Sequence, residues 1–170
     1  MREKNGEHPW GDVGQIILGG VFLVVWAGDS FFLHQSIFFS SYVPLSVRLI
    51  VLGTALVAGL ALFRVTHPVV CREQRPDKVV ATGPFRYVRH PLYLSAVVTY
   101  IGLCLSTMSI YSFVVFVGIL VFYDYIAGYE ERLLEIKFGE EYRQYKSATG
   151  KWVPKIMKHN CGCAAKGVER

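Results

Sequence analysis

The stretch PLYLSAVVTYIGLCLSTMSIYSFVVFVGILVFYDYIAG, residues 91–128, decides the fold of this chain. Its apolar residues continue for too long to form one membrane-spanning helix, which needs about 20 residues. The sequence Ser106-Thr107-Met108-Ser109 interrupts them near the middle. We therefore predict a tight hairpin of two membrane helices, Leu92 to Ser106 and Ser109 to Gly128. Because the helices of a hairpin are antiparallel, its two open ends must lie at the same face of the membrane.

The composition of the whole chain agrees with a membrane protein. Of its 170 residues, 52% are hydrophobic and 18% are charged, and the mean hydropathy is +0.34. These values exclude a disordered chain, a collagen-like chain and a purely soluble enzyme. The net charge of +5 is explained by the basic residues that membrane proteins carry on their cytoplasmic side, so we expect no nucleic-acid partner.

Two spans are expected before the hairpin. Residues 13–28 are uncharged and predict the first span, with a tilted extension to Leu33; a cleaved secretory signal peptide is the alternative for this segment. Residues 44–63 predict the second span, in which Gly53 and Gly59 permit close helix contact. The fold class is thus an all-α polytopic membrane protein of four transmembrane helices, or five if residues 30–43 turn back into the membrane.

The basic residues predict the orientation. Residues 64–90 contain six Lys and Arg residues against two acidic ones, whereas residues 29–47 contain no Lys or Arg. We expect the loop before the hairpin and the C-terminus to be cytoplasmic. After the hairpin, Gly139 predicts a helix end and residues 140–148 predict a short helix with Tyr142 and Tyr145 on one face.

The hairpin makes Arg89-His90-Pro91 a neighbour of Glu130-Glu131. A proline at the first helical position, with basic residues beside it, suits an anion at the free N–H groups of the helix start. Anchoring of Arg89 and His90 at lipid headgroups is an equally weighted alternative. Counting equal lengths from the turn places Pro91 opposite Tyr123 and Asp124, and the glutamates one to two helical turns further out.

Asp124 lies inside an apolar run, where a carboxylate is costly and usually faces protein or water. Helical spacing places it on one stripe with Gly128, Glu131 and Glu135; hydrogen bonding to a tyrosine across the hairpin is the alternative. Several tyrosines crowd the same membrane face, either as an aromatic belt or as ring faces for a cation. They are Tyr87, Tyr93, Tyr123, Tyr125 and Tyr129.

The loop ahead of the hairpin contains the apolar strip Lys78-Val79-Val80 and then a Gly83-Pro84 turn. Such a strip could offer backbone groups to a planar base or pack on the membrane surface. The sequence has no phosphate-binding glycine loop, nucleophile elbow or dinucleotide fingerprint. Cys161-Gly-Cys163 has too few neighbouring ligands to predict a zinc site, so no metal is expected.

Three motifs in order carry a resemblance: GPFRYVRHPLYL (residues 83–94), EERLLEIKFGEEYRQYK (residues 130–146) and Val153-Pro154. Together they resemble the isoprenylcysteine carboxyl methyltransferase family and its relatives, the phospholipid N-methyltransferases. The resemblance implies an integral membrane enzyme that transfers methyl from S-adenosylmethionine, releases S-adenosylhomocysteine and binds the cofactor without a Rossmann domain. The pocket is expected between the last helices and their cytoplasmic connections.

Carried over residue by residue, the resemblance gives His90, Pro91, Leu92 and Tyr93 as the His-Pro-x-Tyr cofactor contacts. The strip at residues 78–80 corresponds to the adenosine-binding segment. Together with the helix-start argument, the expected cofactor-binding residues are Lys78, Val79, Val80, Gly83, Arg89, His90, Pro91, Leu92, Tyr93 and Glu130.

The methyl acceptor is less determined. Prenylcysteine methyltransferases carry an arginine for the substrate carboxylate about one turn before the glutamates, and here Ile126 occupies that place. A lipid amine, an isoprenoid or a thiol-bearing lipid is therefore as well supported as prenylcysteine, unless Arg132 or Arg86 replaces the charge. An amine acceptor would need a proton acceptor, for which Glu131 and Asp124 are the candidate catalytic residues.

Two other functions remain open at the level of sequence: a membrane reductase that binds NADPH, as sterol reductases with a similar Arg-His-Pro-x-Tyr pattern do, and a non-enzymatic membrane subunit. The expected partners are membrane lipid and a lipophilic acceptor, with no obligate protein partner. We divide the chain into N-terminal transmembrane helices (1–66), a catalytic core (67–158) and a polar tail (159–170).

Overall fold

The computed structural model describes residues 11–72 and 78–155, and within them the chain is helical. It contains helices α1 (Gly11–Ala27), α2 (Leu45–Arg72), α3 (Pro91–Thr107), α4 (Ile110–Phe138) and α5 (Glu140–Ala148). In this part of the chain the sole β-type pairing is an isolated parallel bridge between Val88 and Gly150. The predictions for the middle of the basic loop, the polar tail and Cys161-Gly-Cys163 lie outside the described residues.

Within the described residues, three stretches are long and apolar enough to cross a membrane: Val13–Leu33, Leu45–Val69 and Ile110–Phe138. Helix α3 is a shorter apolar helix of 17 residues. Many large apolar side chains on these helices point outward, as expected where lipid is the solvent and the helix satisfies its own backbone hydrogen bonds. The predicted all-α polytopic membrane fold is confirmed.

The predicted hairpin is formed by α3 and α4. Met108 adopts a left-handed conformation with φ 57°, and its N–H donates to the carbonyl of Cys104 at 2.8 Å. The hydroxyl of Ser109 then accepts from the backbone N–H of Ser112 at 3.2 Å and caps α4. Two residues thus reverse the chain, which brings the open ends of the two helices to one face.

At the turn end of the hairpin, the segment after α1 packs on the protein and does not form a fifth membrane helix among the described residues. Its longest regular pieces are a π-helical turn at Gly28–Leu33 and a five-residue 3₁₀ turn at Phe38–Tyr42. The buried carboxylate of Asp29 accepts from the hydroxyls of Ser36 and Ser109. These bonds tie the first span to the hairpin turn.

Helix α2 is longer than the sequence predicts. The apolar run ends near Phe63, but the helix continues to Arg72 with Pro68 inside it. A helix satisfies its own backbone groups, so it does not have to stop where its apolar side chains stop, and one proline removes only one of its N–H donors. The helix passes without a break through residues 66 and 67, where the sequence placed a domain boundary.

Helices α2 and α3 pack closely at glycines. A methyl group at Gly59 would overlap Oγ1 of Thr99, and one at Gly102 would overlap Cβ of Ala55. A methyl group at Gly53 would meet no atom of a neighbouring element within 4 Å, so the prediction that Gly53 permits close helix contact is wrong, whereas the prediction for Gly59 is confirmed. The difference arises because the side of α2 that faces α3 depends on helix rotation, which apolar composition does not specify.

A buried cluster forms where α1, α3 and α4 meet. Its members are Phe22, Cys104, Phe116, Ile119 and Tyr123. On α4 the buried residues recur every three or four positions, from Ser112 through Tyr123 to Ala127 and Glu131. This stripe leads from the apolar core to a carboxylate at the open end of the hairpin.

Candidate active site at the open end of the hairpin

The two polar clusters predicted to be neighbours are in contact. Nδ1 of His90 lies 3.7 Å from Oε2 of Glu130, and Nε2 of His90 lies 3.3 Å from Oε1 of Glu131. The hydroxyl of Tyr93 donates to Oε1 of Glu130 at 2.5 Å. The side chains of both glutamates thus reach the start of α3. The stacking of Tyr93 on Tyr123, with 5.2 Å between the ring centroids, agrees with the predicted register of Pro91 opposite Tyr123 and Asp124.

Glu131 is buried, with 5% of its surface exposed, and is surrounded by cationic groups. Its Oε1 accepts from Nε of Arg89 at 2.9 Å, and its Oε2 lies 3.2 Å from Nζ of Lys146. Glu131, Arg89 and Lys146 form an ion-pair cluster that joins the end of α4, the segment before α3 and helix α5, and His90 contacts this cluster. Each carboxylate oxygen thus has a cationic partner.

Helix α5 presents neutral phenols and a charged lysine to this cluster. The hydrogen bond to Glu135, followed by that to Glu131, raises the pKa of Lys146. Burial raises the pKa of Tyr145 to about 12 and also raises the pKa of Tyr142. The rings of these two tyrosines lie 5.8 Å apart, which confirms that they share a face. The side chains that α5 contributes here are therefore protonated near neutral pH: Tyr142 and Tyr145 are neutral phenols, and Lys146 is a charged ammonium group.

Arg89 holds the segment that follows α5. Its backbone N–H donates to the carbonyl of Gly150 at 2.9 Å. Its Nη1 donates to the carbonyls of Lys146, at 3.0 Å, and Thr149. The guanidinium thus has three protein partners, including Glu131. The helix start itself remains suited to an anion, since Pro91 occupies the first position and the hydrogen bond from Leu94 to His90 opens the helix.

Aromatic rings surround the exposed edge of the cluster. Tyr93 stacks on His90 at 5.7 Å between ring centroids and on Tyr123 at 5.2 Å, and Trp152 lies 6.0 Å from His90. The Glu130 side chain is 22% exposed, so a ligand could reach it from solvent. We call His90, Tyr93, Tyr123, Glu130 and Trp152 the aromatic–carboxylate site. Ring faces beside a carboxylate suit an organic cation.

The loop residues predicted to bind the cofactor lie against two different elements, α5 and α2. The backbone N–H of Val79 donates to Oε1 of Glu141 at 3.1 Å, which places the 78–80 strip against α5. Gly83, with φ +56°, begins a 3₁₀ turn. It lines a cleft of about 610 Å³ beside the end of α2. The cleft is bounded by Ala61, Leu62, Val65, Gly83, Pro84, Arg86 and Tyr87. The cofactor-binding role of these loop residues stays a prediction.

The phospholipid methyltransferase family model matches residues 31–141. This range contains α2, α3, α4 and both halves of the polar cluster. The chain belongs to the phospholipid methyltransferase family. The resemblance drawn from the three sequence motifs is thereby confirmed at the level of the family.

A curated relative of the chain is methanethiol S-methyltransferase 1 of Bradyrhizobium diazoefficiens, with 31% identity over 94 residues. The aligned part is 55% of this chain and 32% of the relative, so the chain spans about a third of the length of the relative it matches. No solved structure matches the chain.

Asp124 does not bond a tyrosine across the hairpin, which makes that alternative wrong. Its Oδ1 accepts from Nζ of Lys151 at 2.5 Å and from Nε1 of Trp152 at 3.0 Å, and its side chain is 61% exposed. It also has different partners from Glu131, with which the sequence grouped it. Ile126, in contrast, is buried with 1% of its surface exposed.

Sequence reasoning missed Lys146, Lys151 and Trp152. Lys146 is the last residue of the motif that begins at Glu130. The acidic residues at the start of that motif and the basic residue at its end could have suggested Lys146 as a partner of Glu131. Trp152 directly precedes the Val153-Pro154 motif. That position alone does not indicate contact with His90, because the chain must first turn back from α5.

Proposed function

We propose that this chain is a membrane methyltransferase that uses S-adenosylmethionine at the aromatic–carboxylate site. The observation that carries the proposal is the placement of Glu130 against His90 and Tyr93, with stacked ring faces beside it, at one face of a membrane hairpin. A carboxylate and aromatic faces are the groups that favour a sulfonium cation. S-adenosylmethionine supplies an already activated methyl group, so alignment of the acceptor is the main task left to the protein.

Different residues at the site would bind different parts of the cofactor. The first turn of α3, from Pro91 through Leu92 to Tyr93, would hold the carboxylate of the cofactor, and Glu130 would hold its amino group or ribose. The loop from Lys78 to Gly83 would cover the adenosine. Arg89 would contribute indirectly, because it holds Glu131 and the segment after α5 in position.

For the acceptor, we propose a thiol or an amine on an apolar molecule in preference to a carboxylate. The cations that contact the carboxylates at this end of the hairpin are themselves paired: Arg89 and Lys146 with Glu131, and Lys151 with Asp124. A substrate carboxylate would have to displace one of these pairs. The name of the relative, a methanethiol S-methyltransferase, refers to a thiol acceptor, and Ile126 supplies no charge.

We further propose that the site faces the cytoplasm, where the basic loop and tail would lie according to the positive-inside rule. The apolar outer faces of the helices contact membrane lipid, through which a lipophilic acceptor would arrive. A site at a membrane face is accessible both to a water-soluble cofactor and to such an acceptor.

The test is a binding and transfer assay on the purified full chain in detergent. S-adenosylhomocysteine should bind saturably, and His90→Ala and Glu130→Ala should each abolish binding. Glu140→Ala is the matched control, since Glu140 pairs only with exposed Arg143 on the surface of α5 among the contacts described. Methyl-labelled S-adenosylmethionine should then label short alkyl thiols or lipid amines.

Several results would contradict the proposal. If His90→Ala and Glu130→Ala both bind S-adenosylhomocysteine as tightly as the parent, the cofactor does not bind at this site. Saturable NADPH binding without S-adenosylhomocysteine binding would favour the reductase. A base-labile methyl ester formed on isoprenylcysteine analogues, with no product from thiols or amines, would overturn the acceptor class.

A further inference from the structure

The segment after α5 folds back across the open end of the hairpin. We call residues 149–155 the C-terminal strap. Its anchors are the hydrogen bond from Arg89 N–H to Gly150 and the one from Nζ of Lys155 to the carbonyl of Ser147, at 2.9 Å. Gly150 has no room for a side chain, because a methyl group there would overlap the carbonyl oxygen of Val153. The strap therefore has a defined path over the site.

Among the described residues, the hydrogen bonds from the strap to α4 converge on Asp124. Nζ of Lys151 donates to Oδ1 and to the backbone carbonyl of Asp124, the latter at 3.1 Å. The indole Nε1–H of Trp152 donates to the same Oδ1 at 3.0 Å. The indole is partly buried against the core cluster that contains Tyr123. Asp124 thus fixes the orientation of the Trp152 ring.

Trp152 also reaches the site. Its ring lies 6.0 Å from the ring of His90, with 41° between the planes, and His90 in turn stacks on Tyr93. His90 is therefore in ring contact with a residue of α3 and with a residue of the strap. The strap adds an aromatic wall that neither membrane helix of the hairpin provides.

We propose that Trp152 forms a wall of the S-adenosylmethionine pocket and that Asp124 is a positioning residue acting through Trp152, not the proton acceptor. This inference rests on the proposed function. The contacts favour positioning because Oδ1 of Asp124 already accepts two hydrogen bonds, both from the strap, and the indole is interposed between Asp124 and His90.

The two roles of Asp124 predict different outcomes for substitution. As a proton acceptor, Asp124 could not be replaced by asparagine, and turnover would fall while cofactor affinity stayed the same. As a positioning residue, it could be replaced in part, since the amide oxygen of an asparagine at this position would still accept the indole N–H of Trp152. Asp124→Ala would remove that acceptor and release the ring.

The experiment measures the Kd of S-adenosylhomocysteine for the full chain in detergent by calorimetric titration. Trp152→Ala and Asp124→Ala should each weaken binding about tenfold, the effect of losing one well-placed contact. The double variant should bind no more weakly than Trp152→Ala, since both changes remove the same wall. Asp124→Asn and Trp152→Phe should restore most of the affinity.

Val153→Ala is the control on the same strap, because Val153 is 73% exposed, and its Kd should equal that of the parent. Tryptophan fluorescence should change when S-adenosylhomocysteine binds the parent and not when it binds Trp152→Phe. Parent-like Kd values for Trp152→Ala and Asp124→Ala, with the parent binding normally, would overturn the inference and leave the proposed function standing. A parent that binds no S-adenosylhomocysteine would refute both.

Discussion

At Glu131 a single buried carboxylate joins α4 to two other parts of the chain. Arg89 and His90 come from the segment that leads into α3, and Lys146 comes from α5. Removing one member of a buried ion pair leaves the partner charge uncompensated, which is more costly than the pair itself is stabilising. Glu131 is thus placed to hold these elements together, whereas the side chain of its neighbour Glu130 is partly exposed.

We predict that Glu131→Gln lowers the free energy of unfolding by about 3 kcal/mol, because Arg89 and Lys146 lose a buried counter-charge. The measurement is denaturant or thermal unfolding of the full chain in detergent. Glu140→Gln, on the exposed surface of α5, is the control and should leave stability within about 0.5 kcal/mol of the parent.

A different pattern would restore the catalytic role suggested by the sequence. If Glu131→Gln unfolds like the parent but loses turnover with unchanged affinity for S-adenosylhomocysteine, then Glu131 is the proton acceptor and the structural role is wrong. Measuring both the unfolding and the turnover of Glu131→Gln therefore distinguishes a structural role of Glu131 from a catalytic one.

Among the helices, the contact between α2 and α3 shows how small residues set the distance between elements. Gly59 approaches the backbone of α3, and a methyl group there would lie 3.1 Å from the carbonyl oxygen of Ser95. Gly53 lies on the same helix without a close neighbour. Without a hydrophobic effect to drive helices together in lipid, such close packing contributes much of the association.

We predict that Gly59→Leu destabilises the fold by about 1–3 kcal/mol, the range for overpacking a well-packed contact. Gly53→Leu is the matched control in the same helix and should be close to neutral. Thermal unfolding of both variants in detergent is the measurement. Equal effects of the two substitutions would show that helix propensity, and not contact with α3, decides the outcome.

For the whole molecule, the described helices place the site at one end and the hairpin turn at the other. Three helical stretches among the described residues are long and apolar enough to cross a membrane, and α3 is a shorter apolar helix. The turn end carries Asp29, Ser36 and Ser109 in one hydrogen-bonded group. The site end carries the ion-pair cluster, α5 and the C-terminal strap. Two helices, α3 and α4, separate the loop before the hairpin from α5, so both of these segments lie at the site end.

We predict that cysteines introduced at Tyr42 and Val153 are labelled from opposite sides of the membrane. Both positions are well exposed, at 81% and 73%, and the native cysteines would first be replaced by serine. A membrane-impermeant maleimide should label position 42 in intact cells and position 153 only after permeabilisation. Labelling of both positions from the same side would contradict the four-crossing topology.

The sequence by itself determined the hairpin with its turn within residues 106–109, the helix end at Gly139, and the meeting of His90 with the glutamates. These features follow from local chemistry: the length of an apolar run, a short polar break and the antiparallel geometry that the break imposes. The side chains of the family motifs therefore come together much as the linear pattern predicts.

Only the tertiary structure decided which groups surround each of the three carboxylates on α4. Glu131 is enclosed by cations, Glu130 remains accessible, and Asp124 holds Trp152, although all three lie within eight residues on one helix. Their different surroundings come from Arg89, Lys146 and the strap, which are distant in sequence or follow a turn of the chain. Such contacts form only after the helices have packed, and no local periodicity in the sequence specifies them.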